Sequence, residues 1–105
     1  AEIVRAVAGA TDIPVGVKMR LGVDDASRNA PALAEAVERA GAAFLTVHGR
    51  TRAQMYAGKA DLAGIAEVVR AASIPVVGNG DANARLFRSQ RNCDMPAGWR
   101  VFQRV

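Results

Sequence analysis

The chain has 105 residues, half of them apolar and 23% charged, which is the composition of one globular domain or a piece of one. Its formal net charge is +4, but residues 1–81 carry nine basic and nine acidic side chains, so the excess of positive charge belongs to residues 82–105. This distribution excludes a uniformly basic nucleic-acid-binding module, and no apolar run reaches the roughly 18 residues that span a membrane. The single cysteine excludes a disulfide framework and a multi-cysteine zinc site, so we expect no metal and a cytoplasmic location.

A repeated pattern of helix, small-residue break and short apolar run occupies residues 1–81. Hydrophobic periodicity predicts helices over residues 2–8, 31–40 and 61–72, and strands over the apolar runs at 13–17, 43–47 and 74–77. Val15, Leu45 and Val76 occupy equivalent places in the three runs, and the two intervals between them are nearly equal. An interval of about 30 residues is typical of a β-α-β unit.

The alternation of strands and helices predicts an α/β fold with a parallel sheet and right-handed crossovers. The runs are short and rich in valine, isoleucine and leucine, so we expect strands that are buried on both faces. A segment of a barrel and a doubly wound sheet both fit this pattern. Residues 82–105 show no clean period of 2 or 3.6 and are predicted to form an irregular basic tail.

Polar residues stand where each predicted strand ends, and ligands of parallel α/β sheets bind at those ends. Lys18, His48 and Asn79 occupy the same place in the three repeats. Each has a plain structural explanation: a solvated strand end, a histidine bonded to backbone, and an Asn-Gly turn. Because the three residues occupy equivalent places in the repeats, they favour a site for an anionic or electron-rich ligand. Arg50 and Arg52 follow on the next loop, where they are either solvated or in contact with phosphate.

Three motifs resemble the tRNA-dihydrouridine synthase family, and the resemblance is strongest to its bacterial B-type members. The first is VKMRLG at residues 17–22, and the second is TVHGRTR at 46–52 with YAGKAD at 56–61. The third is IPVVGNGD at 74–81. They occur in order and with natural spacing, and the resemblance covers about residues 1–81.

This resemblance implies an FMN-dependent enzyme on a TIM barrel. NADPH would reduce the flavin, and the reduced flavin would transfer a hydride to a uridine in tRNA. The family's residues carry over as FMN-binding onto Lys18, His48, Asn79, Gly80 and Asp81, and as substrate-binding onto Arg50 and Arg52. Lys18 and His48 would lie beside the isoalloxazine ring, where a cation and a donor stabilise the negative charge of the reduced form.

Two family motifs have no counterpart in this sequence. The general-acid cysteine of the family stands in an Asn-x-x-Cys-Pro motif, and Cys93 does not match it. The strand with the Gly-Arg phosphate clamp, which follows GNGD in the family, is also absent. We therefore assign no catalytic residue, interpret Cys93 as a bystander, and expect this chain alone to be inactive.

These observations predict a partial (β/α)8 barrel with about three β-α repeats over residues 1–81, followed by the irregular tail. The tail is either the product of an aberrant 3′ end of the coding sequence or a basic extension that touches tRNA phosphates. Two other functions stay open on the residues: another FMN-dependent barrel oxidoreductase, and a non-catalytic RNA-binding fragment.

Overall fold

The computed structural model describes residues 1–80 and the backbone of residues 100–101. Its elements are α1 (Glu2–Gly9), β1 (Gly16–Arg20), a 3-10 turn (Asp25–Ser27), α2 (Ala30–Arg39), β2 (Phe44–His48), α3 (Leu62–Ala71), β3 (Val76–Asn79) and β4 (Arg100–Val101). The strands form one parallel sheet in the order β1-β2-β3-β4. The predicted α/β class and the three helices are confirmed, and β4 is a two-residue strand within the segment for which no element was predicted.

The first strand begins later than its apolar run predicts. The register pairs Leu45 with Val17, so Val17 rather than Val15 is its equivalent on β1. Pro14 has no N–H to donate to a ladder, and Ile13 is 73% exposed. Pairing starts only at Val15, whose carbonyl accepts from the Ala43 amide at 2.8 Å. The predicted first strand therefore exists, but its predicted bounds of 13–17 are wrong, because β1 spans Gly16–Arg20.

The hydrophobic core lies between one face of the sheet and the helices α2 and α3. Leu45 and Val47 point from β2 toward Ile65 and Val68 of α3, and all four are fully buried. Burial of each such side chain stabilises the fold by about 1.5–3 kcal/mol. The other face of the sheet is open, so the prediction of strands buried on both faces is wrong for the described residues. Phe44, for example, is 39% exposed on that open face.

Helix α1 lies at the edge of this core. None of its residues is buried, and Ile3 and Val7, one turn apart, are both exposed. Val4 alone among its apolar residues packs against the core from a partly buried position. No helix in residues 1–80 has the length and apolar character needed to cross a membrane.

Asp61 joins the start of α3 to the connection between β1 and α2. Its Oδ1 accepts from the Gly64 amide at 3.0 Å, as an N-cap side chain does. Its Oδ2 receives the Arg28 guanidinium at 2.6 Å, and Arg28 also pairs with Asp25 at 3.1 Å. The Arg28 guanidinium, assisted by the Gly64 amide, holds the pKa of the Asp61 carboxyl below its ordinary value.

Replacement of Asp61 separates the cap from the ion pair. We expect D61A to lower the free energy of unfolding by about 1–2 kcal/mol, because it removes both interactions. D61N keeps a capping oxygen, and R28M keeps the cap while it removes the ion pairs of Arg28 with Asp61 and Asp25, so each should lose roughly 0.2–1 kcal/mol. Urea unfolding of the four chains measures these values, and equal losses in D61A and D61N would show that the cap contributes nothing.

The lowered pKa of Asp61 also predicts an acid-dependent part of the stability. Because the folded state favours the ionised carboxyl, its contribution is complete above the pKa in the unfolded chain. It is lost as the pH falls through the lower pKa of the folded state. We therefore expect the stability difference between the unmutated chain and D61N to shrink between about pH 6 and about pH 2. A difference that stays constant over this range would contradict the role of the ionised form.

Candidate functional site at the strand ends

Three polar residues form one row across the carboxyl ends of the strands. The register pairs Arg20 of β1 with His48 of β2, and His48 with Asn79 of β3. Neighbouring strands lie about 4.8 Å apart, so these residues are adjacent on the open face of the sheet. We call Arg20, His48 and Asn79 the strand-end row. The structure thus brings His48 and Asn79 together, as the motif spacing predicts.

Lys18 lies on the same face as the strand-end row but two residues before it, toward the N-terminal end of β1. It pairs with Thr46, which in turn pairs with Val77, so it is two residues or about 6.6 Å below the row. The prediction that Lys18 occupies the same level as His48 is therefore wrong, and Arg20 occupies that level. Lys18 is exposed, and its side chain makes no hydrogen bond or ion pair with residues 1–80.

Arg20 is the one member of the row that is absent from the predicted site residues. A signal for it exists, because side chains two apart on a strand share a face. Lys18 and Arg20 flank the buried Met19, which faces the helices. With the period of two applied to β1, both cations fall on the open face.

His48 is held in one tautomer by Arg50. The imidazole is 6% exposed, and its Nε2 lies 3.2 Å from Arg50 Nη1. A guanidinium only donates hydrogen bonds, so Nε2 accepts, and the neutral ring carries its proton on Nδ1. The Nδ1–H group is then the one donor that the imidazole has.

Arg50 organises the loop that follows β2. It is 7% exposed, and its guanidinium donates to the carbonyls of Ala57 at 3.2 Å and Gly58 at 2.7 Å. Arg52 is exposed, and its backbone amide donates to the Gly22 carbonyl at 2.9 Å. Contact with uridine or tRNA stays a prediction for both arginines, and the surface position suits Arg52 better.

The backbone of Gly80 lies close to the imidazole ring of His48 and to the Ala60 side chain. Its φ is +128°, in a region where side chains with a Cβ are strained. A Cβ built there would lie 2.9 Å from the Ala60 Cβ and 3.4 Å from His48 Cδ2. The glycine after Asn79 therefore lets the backbone pass close to the site. Asp81 and Cys93, which the sequence analysis also singled out, lie outside the described residues.

The donor set of this face suits an anionic or electron-rich ring better than a metal ion. Lys18 and Arg20 supply positive charge, while His48 and Asn79 supply neutral donors. Within residues 1–80, no group of three or more His, Cys, Asp or Glu side chains could hold a metal ion. The face offers charge and hydrogen-bond donors for binding and orienting a ligand, and its described residues include no cysteine nucleophile.

Comparison with known proteins agrees with the motifs. A sequence model of the family described as dihydrouridine synthase matches residues 1–94, which extends past the last motif at 74–81. The match therefore includes every residue of the strand-end row together with Lys18.

Individual relatives that match the chain are named as tRNA-dihydrouridine synthases. A probable tRNA-dihydrouridine synthase of Rickettsia bellii is 53% identical over 81 residues, 77% of this chain and 25% of the relative. One from Rhodobacter capsulatus is 51% identical over 79 residues, 75% of this chain and 24% of the relative. The tRNA-dihydrouridine synthase B of Pseudomonas aeruginosa is 48% identical over 84 residues, 80% of this chain and 25% of the relative. The chain spans about a quarter of the length of the curated relatives that it matches.

Gly80 offers a test of the close packing behind the row. We expect G80A to lower the free energy of unfolding by about 1–2 kcal/mol, because of the left-handed backbone, with more from the contact with Ala60. Gly9 is the matched control: it lies in α1, and a Cβ there meets nothing within 4 Å. G9A should leave stability unchanged or raise it by up to ~1 kcal/mol. Equal effects in urea unfolding would contradict this packing.

Proposed function

The chain belongs to the dihydrouridine synthase family, and from this membership we propose that it is a segment of an enzyme that reduces uridine to 5,6-dihydrouridine in tRNA. In this proposal the enzyme uses FMN, with NADPH as the source of electrons. The matched part of the chain includes the strand ends that carry the polar residues. The relatives described above are named as tRNA-dihydrouridine synthases, which supports tRNA over a small-molecule substrate.

One observation carries the proposal: three separate motifs meet at one edge of the sheet. His48 and Asn79 are paired neighbours, and Lys18 lies below them on the same open face. A ring with hydrogen-bond acceptors fits this donor set, since it can meet a cation and neutral N–H groups together. The residues present therefore fit FMN, as the family resemblance implies.

Each residue of the face has a role that follows from its chemistry. FMN, when bound, supplies the hydride that the reduction needs. Lys18 would stabilise negative charge beside it, because its ammonium is a cation with no partner in residues 1–80. His48 would donate from Nδ1, the nitrogen that carries the proton. Asn79 and Gly80 would meet the ribityl-phosphate side, and the missing Cβ of Gly80 lets its backbone pack against Ala60 and His48 at that edge.

The sheet order supports a barrel rather than a doubly wound sheet. The strands follow one another in chain order, with no reversal within the part that the structure describes. A doubly wound sheet binds its ligand at such a reversal, whereas a barrel binds at successive strand ends. The open face of β1, β2 and β3 would then line the inside of a (β/α)8 barrel, whose other strands belong to further parts of a longer protein.

The tRNA would approach over the loop after β2. Arg52 is exposed there, and a surface guanidinium suits phosphate contact. The family resemblance implies a cysteine as the proton donor to C5 of the uracil, and residues 1–80 contain none, so this proton would come from another part of the protein. Activity of the whole enzyme would need that donor.

FMN titration tests the proposed site. We expect the purified chain to quench flavin fluorescence on binding, with K18M and H48A each weakening the affinity about 5- to 30-fold. The reason is that each variant removes a hydrogen-bond donor, or a charge, worth about 1–2 kcal/mol. R70M, which removes an exposed cation from α3, is the charge-matched control and should bind like the unmutated chain.

The outcomes of this titration are distinct. Equal affinity in K18M, H48A and the control would contradict the assignment of these two residues. A folded circular-dichroism spectrum without any FMN binding would contradict a flavin site formed by this face.

A further inference from the structure

The loop between β2 and α3, residues 49–61, contains a turn in an unfavourable backbone conformation. Met55 has a φ of +52°, and it is the one residue other than glycine with a positive φ in the described chain. A side chain with a Cβ is strained in this region, and such strain persists only where neighbouring contacts hold it. Burial does not hold Met55, because it is 65% exposed. Hydrogen bonds stabilise the turn instead: within it, the Met55 amide donates to the Arg52 carbonyl at 3.1 Å and the Thr51 amide to the Gln54 side chain at 2.9 Å.

Arg20 adds contacts to the same turn from a different strand. Its Nη1 donates to the Met55 carbonyl at 2.9 Å and to the Thr51 carbonyl at 3.1 Å. Both acceptors are distant from Arg20 along the chain, beyond the whole of α2 and β2. One guanidinium nitrogen thus bridges two carbonyls of the same turn, including that of the strained residue. Hydrogen bonds from a charged donor are stronger than those between neutral groups.

The residue after the strained turn is the one tyrosine of the chain. The Tyr56 ring is 68% exposed, so packing contributes little to its position. The Arg20 Cζ lies 5.8 Å from its ring centroid, within the range of a cation–π contact. The ring centroid lies 6.1 Å from that of His48, with the planes tilted by 43°. Tyr56 therefore stands beside the strand-end row while most of its ring faces solvent.

From these contacts we infer that Arg20 is a positioning residue, which clamps the turn at 51–55 and thereby holds Tyr56 beside His48. The guanidinium acts through the loop and through the tyrosine ring. A planar ligand at the strand-end row would then meet an aromatic wall whose place is set by Arg20. Only the identity of that ligand rests on the proposed function, since the clamp itself needs neither flavin nor RNA.

The chain offers a clean spectroscopic test, because it contains one histidine and one tyrosine. Proton NMR with labelled histidine and tyrosine should show a cross-peak between the Tyr56 and His48 rings. Y56L defines the His48 shift without the tyrosine ring. We expect R20M to lose the cross-peak and to move the His48 signals toward those of Y56L. R39M, which removes an arginine that is 70% exposed on α2, should keep both.

A cross-peak of unchanged intensity in a folded R20M chain would overturn the inference. The unmutated chain provides a second test, which does not depend on the folding of a variant. The Nη protons of Arg20 should exchange with water more slowly than those of Arg39, because Nη1 is held by two carbonyls. Equal exchange would also overturn it. Failure of FMN binding would remove the proposed function and leave these results unaffected.

Discussion

The parallel register of β1, β2 and β3 is the constraint on which the core and the candidate site both depend. It aligns Met19 with Val47 and Gly78 on the face that meets the helices, and it aligns Arg20 with His48 on the other face. A slip of one residue would exchange the two sets of side chains, because the period of a strand is two. Burial of the apolar set therefore selects the position of the polar set.

The loop after β2 shows how a polar segment is kept in place above an open sheet. Arg50 holds it from within by donating to the carbonyls of residues 57 and 58, and Arg20 holds it from the neighbouring strand. Backbone bonds continue the pairing beyond the strand ends, with the amide of Leu21 donating to Arg50 and that of Arg52 to Gly22. These contacts are hydrogen bonds from charged guanidinium groups or between backbone groups, so the loop is held in place with few apolar contacts.

The open face connects the fold to the family. In a closed barrel the inner face of each strand lines a packed interior or a ligand site. In the proposed barrel that face would be the open one, which carries Lys18, Phe44 and the strand-end row. The chain spans about a quarter of the length of its curated relatives. Family membership and the location of the matched motifs support the proposed chemistry together, since the motifs converge on that open side.

The sequence by itself determined the α/β class, the family and the position of the helices. The helix predicted over 31–40 is observed as Ala30–Arg39, and the one predicted over 61–72 as Leu62–Ala71 with Asp61 as its cap. These features depend on periodicity and capping within a few neighbouring residues, so local sequence is sufficient to predict them. The nearness of His48 and Asn79 was also predictable, because parallel strands end at one edge of the sheet.

Only the tertiary structure decided where β1 begins, which residue of β1 lies beside His48, and which groups Arg20 and Arg50 bind. Strand register is a pairing between segments that are distant along the chain, and hydrophobic periodicity within one segment does not contain it. Arg50 looks like a solvated or phosphate-binding cation in the sequence, and Arg20 is not among the predicted site residues, but both guanidinium groups donate to backbone carbonyls. A carbonyl belongs to every residue and so leaves no mark in the sequence, which is why only the folded chain shows where these guanidinium groups bind.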